Sequence, residues 1–250
     1  EVIIATKVGI KVTGRGAPGA GPNNVNQGGG SRHHIIQQLE RSLRRLQTDY
    51  IDVYYLHRWD TGTPIEETLR AFDDMIRQGK VRYIGASNSA AWQLAGAMWA
   101  ARMYNLHPFS CVQLEYNILS RDIERDIVPF CAEYGVGLVP YYPLASGLLT
   151  GKHRQGHFEE GSRLAGGPWT DVYRSRFVND RNWSILEQLE KFAAERRHSV
   201  TELAFAWLLA NPVVCSVTAG ATRPEQVEAN ARACEWKISC QDMEDVRTFL

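Results

Sequence analysis

Residues 49–88, DYIDVYYLHRWDTGTPIEETLRAFDDMIRQGKVRYIGASN, hold two apolar stretches separated by an amphipathic one. The outer stretches, DYIDVYYLH and VRYIGASN, are typical of buried strands. The segment between them predicts a helix, with Thr63 as its N-cap, Pro64 in its first turn and Gly79 at its end. A strand, a helix and a second strand in this order indicate two parallel strands joined by a helical crossover.

The same alternation of strand-like and helix-like segments runs from one end of the sequence to the other. It is interrupted by a long irregular stretch that ends near Asn182. Strands covered on both faces favour a closed (β/α)8 TIM barrel of about 250 residues, and we expect residues 1–250 to form a single domain of this kind. Because the sequence opens inside a strand, we expect the first two barrel strands to precede Glu1. The six predicted strands end near Lys7, His57, Asn88, Tyr116, Tyr142 and Gly220.

Composition narrows the class of partner. Lys plus Arg and Asp plus Glu both total 28, so charge gives no reason to expect nucleic acid or an anionic membrane. No apolar stretch approaches the ~20 residues that span a bilayer. The five cysteines are scattered without a CxxC pair, which favours a reducing, cytoplasmic compartment. We expect small molecules or other proteins as partners, and the sequence leaves a homo-oligomer open.

Polar side chains close most of the predicted strands. In a parallel barrel the catalytic groups lie at these carboxyl ends. Taken singly, each has an ordinary interpretation: a rim charge for Lys7, a satisfied polar group for His57, a helix cap for Asn88. Because all of them converge on one rim, we predict a functional site there, formed by Lys7, His57, Ser87, Asn88, Gln113, Tyr116, Tyr141, Tyr142 and the residues from Gly220 to Arg223.

Two short patterns are set aside. Residues 14–19, GRGAPG, fit the dinucleotide fingerprint GxGxxG, but Pro18 and the following GPNNVNQGGG prevent the helix that the fingerprint requires. A mobile loop is the more plausible interpretation of this glycine-rich segment, and a substrate or cofactor lid is one use that it could have. His153 and His157 are four residues apart, yet Gly156 and the polar surroundings favour a loop, so we expect no metal site.

Seven motifs in one order give the sequence a family resemblance. They are IIATKVG, SLRRLQTDYIDVYYLHRWD, GKVRYIGASN, QLEYN, YYPLASGLLTGK, GSR and GATRPEQVEAN. In this order and spacing the chain resembles the aldo/keto reductases, NAD(P)H-dependent (β/α)8 barrels, over its whole length. The resemblance implies reduction of an aldehyde or ketone to the alcohol.

The resemblance also implies a catalytic tetrad of Asp, Tyr, Lys and His. Lys7 matches the family's lysine and His57 its histidine. The Asp and the Tyr lie upstream of the TKVG strand in the family, so neither is in this sequence. The lysine is expected to lower the pKa of the tyrosine, which donates a proton, and the histidine to hydrogen-bond the substrate oxygen.

Cofactor contacts follow from the same resemblance. Ser87, Asn88 and Gln113 match the residues that hydrogen-bond the nicotinamide carboxamide, and Tyr141 matches the aromatic that stacks on its ring. The pyrophosphate, the phosphates and the adenosine are expected to contact Tyr142, Pro143, Leu144, Ala145, Ser146, Gly147, Lys152, Arg163, Gly220, Thr222, Arg223, Gln226 and Asn230.

Arginine suits a 2′-phosphate, so NADPH is favoured over NADH. Ala229 departs from relatives that place a glutamate on the adenine amino group. For the substrate, the loop after the second predicted strand supplies His57, Arg58 and Trp59 as expected contacts.

Two other functions remain to be separated from the reductase. Some relatives are auxiliary subunits of potassium channels, so a non-catalytic, nucleotide-binding regulatory subunit is the main alternative. A barrel glycosidase would need two carboxylates at strand ends, and Glu115 is the single good candidate.

Overall fold

The computed structural model describes residues 2–10 and 28–250, so the GRGAPG motif lies outside the described residues. The chain divides into two compact units. One consists of Glu1–Leu114 and Asp126–Gly137, and the other of Glu115–Arg125 and Leu138–Leu250. Among the described helices, none has the length and apolar character needed to cross a membrane.

Parallel strands form the centre of the first unit. Each pairs with the next in chain order, and the register sets Lys7 opposite Tyr55, Tyr55 opposite Gly85, and Ser87 opposite Gln113. The carboxyl ends of these strands therefore share one edge, as predicted. The strands are β1 (Ala5–Val8), β2 (Ile51–Leu56), β3 (Val81–Ser87) and β4 (Cys111–Glu115), the last residue of β4 being counted with the second unit.

Helices follow the strands of the first unit. Ser31 accepts a hydrogen bond from the His34 N–H and is the N-cap of the first helix. The predicted cap Thr63 is wrong, because Pro64 is the N-cap of the second helix and the Thr63 hydroxyl donates instead to Asp60. The helices are α1 (Arg32–Leu46), α2 (Ile65–Arg77), α3 (Ala91–Met103) and α4 (Ile127–Tyr134).

Aromatic rings form the centre of this unit's core. Phe72 of α2 meets Tyr54 of β2 edge-on, with ring centres 5.6 Å apart, and Phe109 at 6.3 Å. All three rings are buried, and the Tyr54 hydroxyl donates to the Ile35 carbonyl of α1. The alternation of apolar positions in β2 and α2 thus becomes a helix layer packed on the sheet.

The second unit is mainly helical. It contains nearly all of β5 (Gly137–Tyr141) and two 3₁₀ segments, Asp122–Arg125 and Ala145–Thr150. The predicted irregular stretch before Asn182 in fact contains a helix, α5. The helices are α5 (Thr170–Phe177), α6 (Asp180–Glu195), α7 (Val200–Leu209), α8 (Pro224–Ala233) and α9 (Cys240–Arg247).

The prediction of a sixth strand near residues 213–220 is wrong, because this segment does not form a regular strand. It forms two isolated parallel bridges to β5, at Val214 and Thr218. Cys215 donates to the Leu138 carbonyl and Thr218 to the Pro140 carbonyl. Because Pro140 has no N–H to return a hydrogen bond, the ladder is interrupted between the two bridges.

Candidate active site

Five polar residues at the carboxyl edge of the first unit's strands form a group that we call the strand-end cluster: Lys7, His57, Ser87, Asn88 and Gln113. Lys7 lies in β1 and His57 directly follows β2, where its N–H donates to the Val8 carbonyl at 2.7 Å. Strand pairing therefore brings the two predicted catalytic residues to neighbouring positions.

The electrostatics of Lys7 and His57 are coupled. Burial lowers the pKa of Lys7, whose ammonium lies 5.7 Å from the centre of the Tyr55 ring. The pKa of His57 is also lowered, first by burial and then by the positive charges of Lys7 and Arg58. An imidazole with a pKa below its ordinary value of about 6.5 is neutral at pH 7. The pair thus combines an ammonium with a neutral hydrogen-bond donor.

Asn88 links the ends of three strands. Its side-chain amide donates to the His57 carbonyl and to the Ser87 hydroxyl, both at 3.1 Å, and its backbone N–H donates to the Gln113 carbonyl at 3.2 Å. The N-cap of α3 is Ala90, so Asn88 does not cap that helix. Its side chain is held at the edge where the predicted carboxamide contacts converge.

The predicted substrate residues Arg58 and Trp59 extend the same edge. Both follow His57 beyond the end of β2, where Arg58 is exposed and Trp59 is half-buried. The next residue, Asp60, fixes this loop, since it accepts hydrogen bonds from the backbone N–H groups of Gly30 and Gly62.

A separate cleft of about 480 Å³ lies within the second unit. It follows the end of β5, and most of the predicted cofactor residues line it. Ala145 is buried instead, and Arg223 lies outside the cleft. The predicted residues that line it are Tyr141, Tyr142, Pro143, Leu144, Ser146, Gly147, Lys152, Arg163, Gly220, Thr222, Gln226 and Asn230.

The backbone at the mouth of this cleft is strained. Tyr142, Ala145 and Ser146 have φ values of 55°, 45° and 58°, in the left-handed region that side chains disfavour. Gly147 follows at φ 106°. Strain of this kind persists where the surrounding structure imposes it, and it is concentrated at binding sites. Successive left-handed residues expose backbone N–H groups, which suits an anion.

Two buried polar atoms beside this loop have no hydrogen-bond partner among the described residues. They are the Ser146 hydroxyl and His153 Nε2. The Glu159 N–H donates to His153 Nδ1, so in the neutral ring the proton is on Nε2. A side chain at Gly147 would begin 3.6 Å from that Nε2 atom. Unpaired donors next to a strained loop fit a site built for an anionic group.

The buried His153 predicts a pH dependence of stability. Burial lowers its pKa to about 4 in the folded protein, against about 6.5 in the unfolded chain. Between these values the unfolded chain binds a proton that the folded protein does not bind, so the free energy of unfolding should fall by about 1–3 kcal/mol as pH drops from 6.5 to 4. Denaturant unfolding of His153→Phe should show a shallower fall. The exposed His157→Phe serves as the control, and equal slopes for the two variants would contradict the assignment.

Basic side chains surround the far end of the cleft. The Arg163 guanidinium lies 3.3 Å from the point where a side chain at Gly220 would begin. Arg223 is the N-cap of α8 and lines a neighbouring cleft with Lys152. Gln226 accepts hydrogen bonds from the N–H and the hydroxyl of Thr222. The first turn of α8 therefore offers backbone donors and cationic side chains to an anion.

Several contributors to the cleft were missed by sequence reasoning. Thr218 is two residues from Gly220, so alternation along an extended segment could have identified it. Ser162 lies within the GSR motif beside Arg163 and also lines the cleft. Tyr173 is not among the predicted cofactor residues; its hydroxyl lies 3.3 Å from that of Tyr142, and this hydrogen bond together with burial raises the pKa of Tyr142 to about 12.

Comparison with known proteins gives one consistent result. A family model described as Aldo/keto reductase family matches residues 1–250. Together with parallel strands that alternate with helices, this match confirms the predicted α/β barrel fold class.

Individual relatives carry different names. A "Probable voltage-gated potassium channel subunit beta" from Oryza sativa subsp. japonica is 39% identical, over 87% of this chain and 65% of the relative. "Probable aldo-keto reductase 1" from Glycine max is 34% identical, over 98% and 66%. "L-glyceraldehyde 3-phosphate reductase" from Escherichia coli (strain K12) is 32% identical, over 93% and 65%. The chain thus spans about two thirds of the length of these relatives.

Proposed function

Because the chain belongs to the aldo/keto reductase family, we propose that it is part of an oxidoreductase that reduces an aldehyde or ketone to the alcohol with NADPH. The observation that carries the proposal is the strand-end cluster. It places an ammonium, a neutral imidazole and amide groups at one edge of a parallel sheet, where barrel enzymes have their catalytic groups.

Bound NADPH would supply the hydride that the carbonyl carbon accepts. The alkoxide that results needs a proton, and a tyrosine with a free pKa of about 10 is a poor donor at neutral pH. An adjacent ammonium stabilises the phenolate and so lowers that pKa. We assign this task to Lys7, acting on a tyrosine that the family resemblance places before Glu1.

His57 has a different task. As a neutral imidazole beside Lys7, it can donate an N–H hydrogen bond to the substrate oxygen without accepting the proton. Such a donor favours the transition state, because the bond strengthens as negative charge develops on the oxygen. We assign contacts with the rest of the substrate to Arg58 and Trp59, on the loop that follows.

Within each unit, taken by itself, the residues fit a part of a dinucleotide. Asn88, Ser87 and Gln113 offer amide and hydroxyl groups to a carboxamide. The left-handed turn at Ser146, with its buried hydroxyl unpaired among the described residues, suits a pyrophosphate. The flat faces of Tyr141 and Tyr142 suit an aromatic ring. We therefore propose NADPH as the cofactor and one barrel domain over residues 1–250, in a cytoplasmic setting suggested by the cysteine pattern.

Arg223 is proposed to select NADPH over NADH. It lies at the start of α8, where a guanidinium and helix N–H groups can together bind a 2′-phosphate. Arg223→Ala should weaken NADPH binding by about tenfold, roughly 1.4 kcal/mol, while NADH binding changes by less than about twofold. Quenching of protein fluorescence during titration measures both dissociation constants.

The control for Arg223 lies on the same helix. Arg232→Ala removes an exposed arginine from the other end of α8 and should leave both affinities unchanged. An equal loss of NADPH and NADH binding in Arg223→Ala would assign the residue to a phosphate shared by both cofactors. That result would contradict its proposed role in selectivity.

A regulatory subunit that binds the nucleotide without turnover is the second candidate function. Similarity to the rice relative, which is named as a potassium channel subunit beta, is the observation that favours it. The intact protein should be titrated with NADPH and then given a panel of aldehydes, ketones and sugars while the absorbance of the dihydronicotinamide is followed. Oxidation with any of these compounds supports the reductase, whereas tight binding without oxidation supports the regulatory subunit.

A further inference from the structure

The outer face of α3 is apolar along its whole length. Trp92, Trp99 and Met103 share one side of the helix and are 73%, 66% and 61% exposed. Gly96 lies between the two tryptophans on the same side. Among the thirteen residues of α3, Gln93 and Arg102 are the polar ones. A helix on the surface of a soluble protein ordinarily has a polar outer face, and one that is apolar all round is ordinarily covered.

The exposed area is large for a surface that stays in water. A tryptophan side chain offers about 150–250 Å², so the two tryptophans, each about two thirds exposed, together with the exposed part of Met103 present roughly 300–450 Å² of apolar surface on one side of the helix. Single chains seldom expose patches beyond a few hundred Å² unless the patch binds something. A dimer of standard size buries about 800 Å² on each side, of which roughly two thirds is apolar. The α3 face supplies most of that apolar area.

Gly96 provides an independent observation. A glycine inside a helix is less favourable than alanine. A side chain at this position would meet nothing within 4 Å, so packing inside the described chain gives no reason for the glycine. A second helix that approaches α3 closely would give such a reason, because small residues allow helix backbones to come together.

The positions of the tryptophans along α3 would allow the faces of two identical helices to pack against each other. Trp92 and Trp99 are seven residues apart, and the small residues Ala95 and Gly96 occupy the midpoint between them. In an antiparallel pair of α3 helices related by a two-fold axis through this midpoint, Trp92 of each copy lies against Trp99 of the other. Equal totals of acidic and basic residues, 28 each, give no net charge to oppose association.

We propose that α3 is the interface of a homodimer, in which two copies pack their helices antiparallel across Ala95 and Gly96 with the tryptophans on either side. The interface uses Trp92, Trp99, Met103 and the small central residues. It is independent of the proposed reductase activity.

Sedimentation of the intact protein at micromolar concentration tests this proposal. The expected mass is twice that of one chain, and Trp99→Glu should raise the dimer dissociation constant by at least about 100-fold. Trp169→Glu, at a tryptophan that is 62% exposed outside α3, is the matched control and should sediment as the wild type does. Circular dichroism should show both variants folded.

The Gly96→Ala variant distinguishes an effect on dimer affinity from an effect on folding stability. In the monomeric Trp99→Glu background it should raise Tm by about 2 °C, since alanine is the better helix former and meets no clash. In the wild-type background the added methyl groups should weaken the dimer by at least about tenfold. A wild-type protein that is monomeric, a Trp99→Glu variant that remains dimeric, or a Gly96→Ala variant with unchanged dimer affinity would each overturn the proposal.

Discussion

Replacing Lys7 with methionine is expected to lower kcat for carbonyl reduction by about 10³-fold, while the dissociation constant for NADPH changes by less than about threefold. General acid catalysis typically contributes 10²- to 10⁴-fold, and without the ammonium the tyrosine returns to a pKa near 10. The half-buried Lys7 lies beside His57 and above the Tyr55 ring. Methionine retains the apolar stem, so the change removes mainly the charge.

Steady-state kinetics and fluorescence titration of the same preparations measure the two quantities. Lys80→Met is the control. Lys80 directly precedes β3, at the end of the strand opposite the strand-end cluster, and pairs with Glu40. It should keep kcat within about twofold. A Lys7→Met enzyme with wild-type kcat would exclude the proposed role of the lysine.

Gly85→Ala is expected to destabilise the first unit by about 3 kcal/mol and to lower kcat as well. A side chain at Gly85 would begin 2.5 Å from Cε1 and 2.6 Å from Cδ1 of Tyr55, which is closer than packed carbon atoms approach. Tyr55 is buried, and its hydroxyl accepts a hydrogen bond from the Cys111 thiol at 3.2 Å. The ring therefore cannot move without disturbing the neighbouring strands and Lys7.

Thermal and denaturant unfolding test the steric origin of this effect. Tyr55→Leu should cancel part of the loss when it is combined with Gly85→Ala, so that the double variant is more stable than the sum of the single changes predicts. Gly166→Ala is the control, since a side chain there meets nothing within 4 Å, and it should change stability by less than about 0.5 kcal/mol. Strictly additive losses of stability would show that a clash with the Tyr55 ring is not the reason why position 85 requires glycine.

Local sequence signals were sufficient for five of the six predicted strands and for the strand-end cluster. The sequence segments that form β1 to β5 are largely apolar. Parallel pairing of the strands then brings Lys7, His57 and Ser87 to one edge, regardless of the conformation of the connecting loops. The interruption opposite Pro140 could also have been anticipated, because proline has no N–H to donate. The order of the family motifs also predicted most of the residues that line the cleft of the second unit.

Other features depend on tertiary contacts that no local pattern contains. The left-handed backbone at Tyr142, Ala145 and Ser146 goes against the preferences of those residues and is imposed by their surroundings. The Tyr173 hydroxyl reaches Tyr142 from 31 residues away, across a stretch predicted to be irregular. Thr63 is a typical helix-cap residue at the expected position, but its hydroxyl donates a hydrogen bond to Asp60 instead.

Transfer of deuterium from the cofactor tests the central claim most directly. The intact protein is incubated with NADPH that carries deuterium at the transferable position, together with the panel of aldehydes, ketones and sugars, and the products are examined by mass spectrometry. We predict that at least one carbonyl compound yields an alcohol with deuterium on the former carbonyl carbon, and that Lys7→Met forms it about 10³-fold more slowly. Saturable binding of NADPH with no labelled alcohol from any compound would contradict the reductase function.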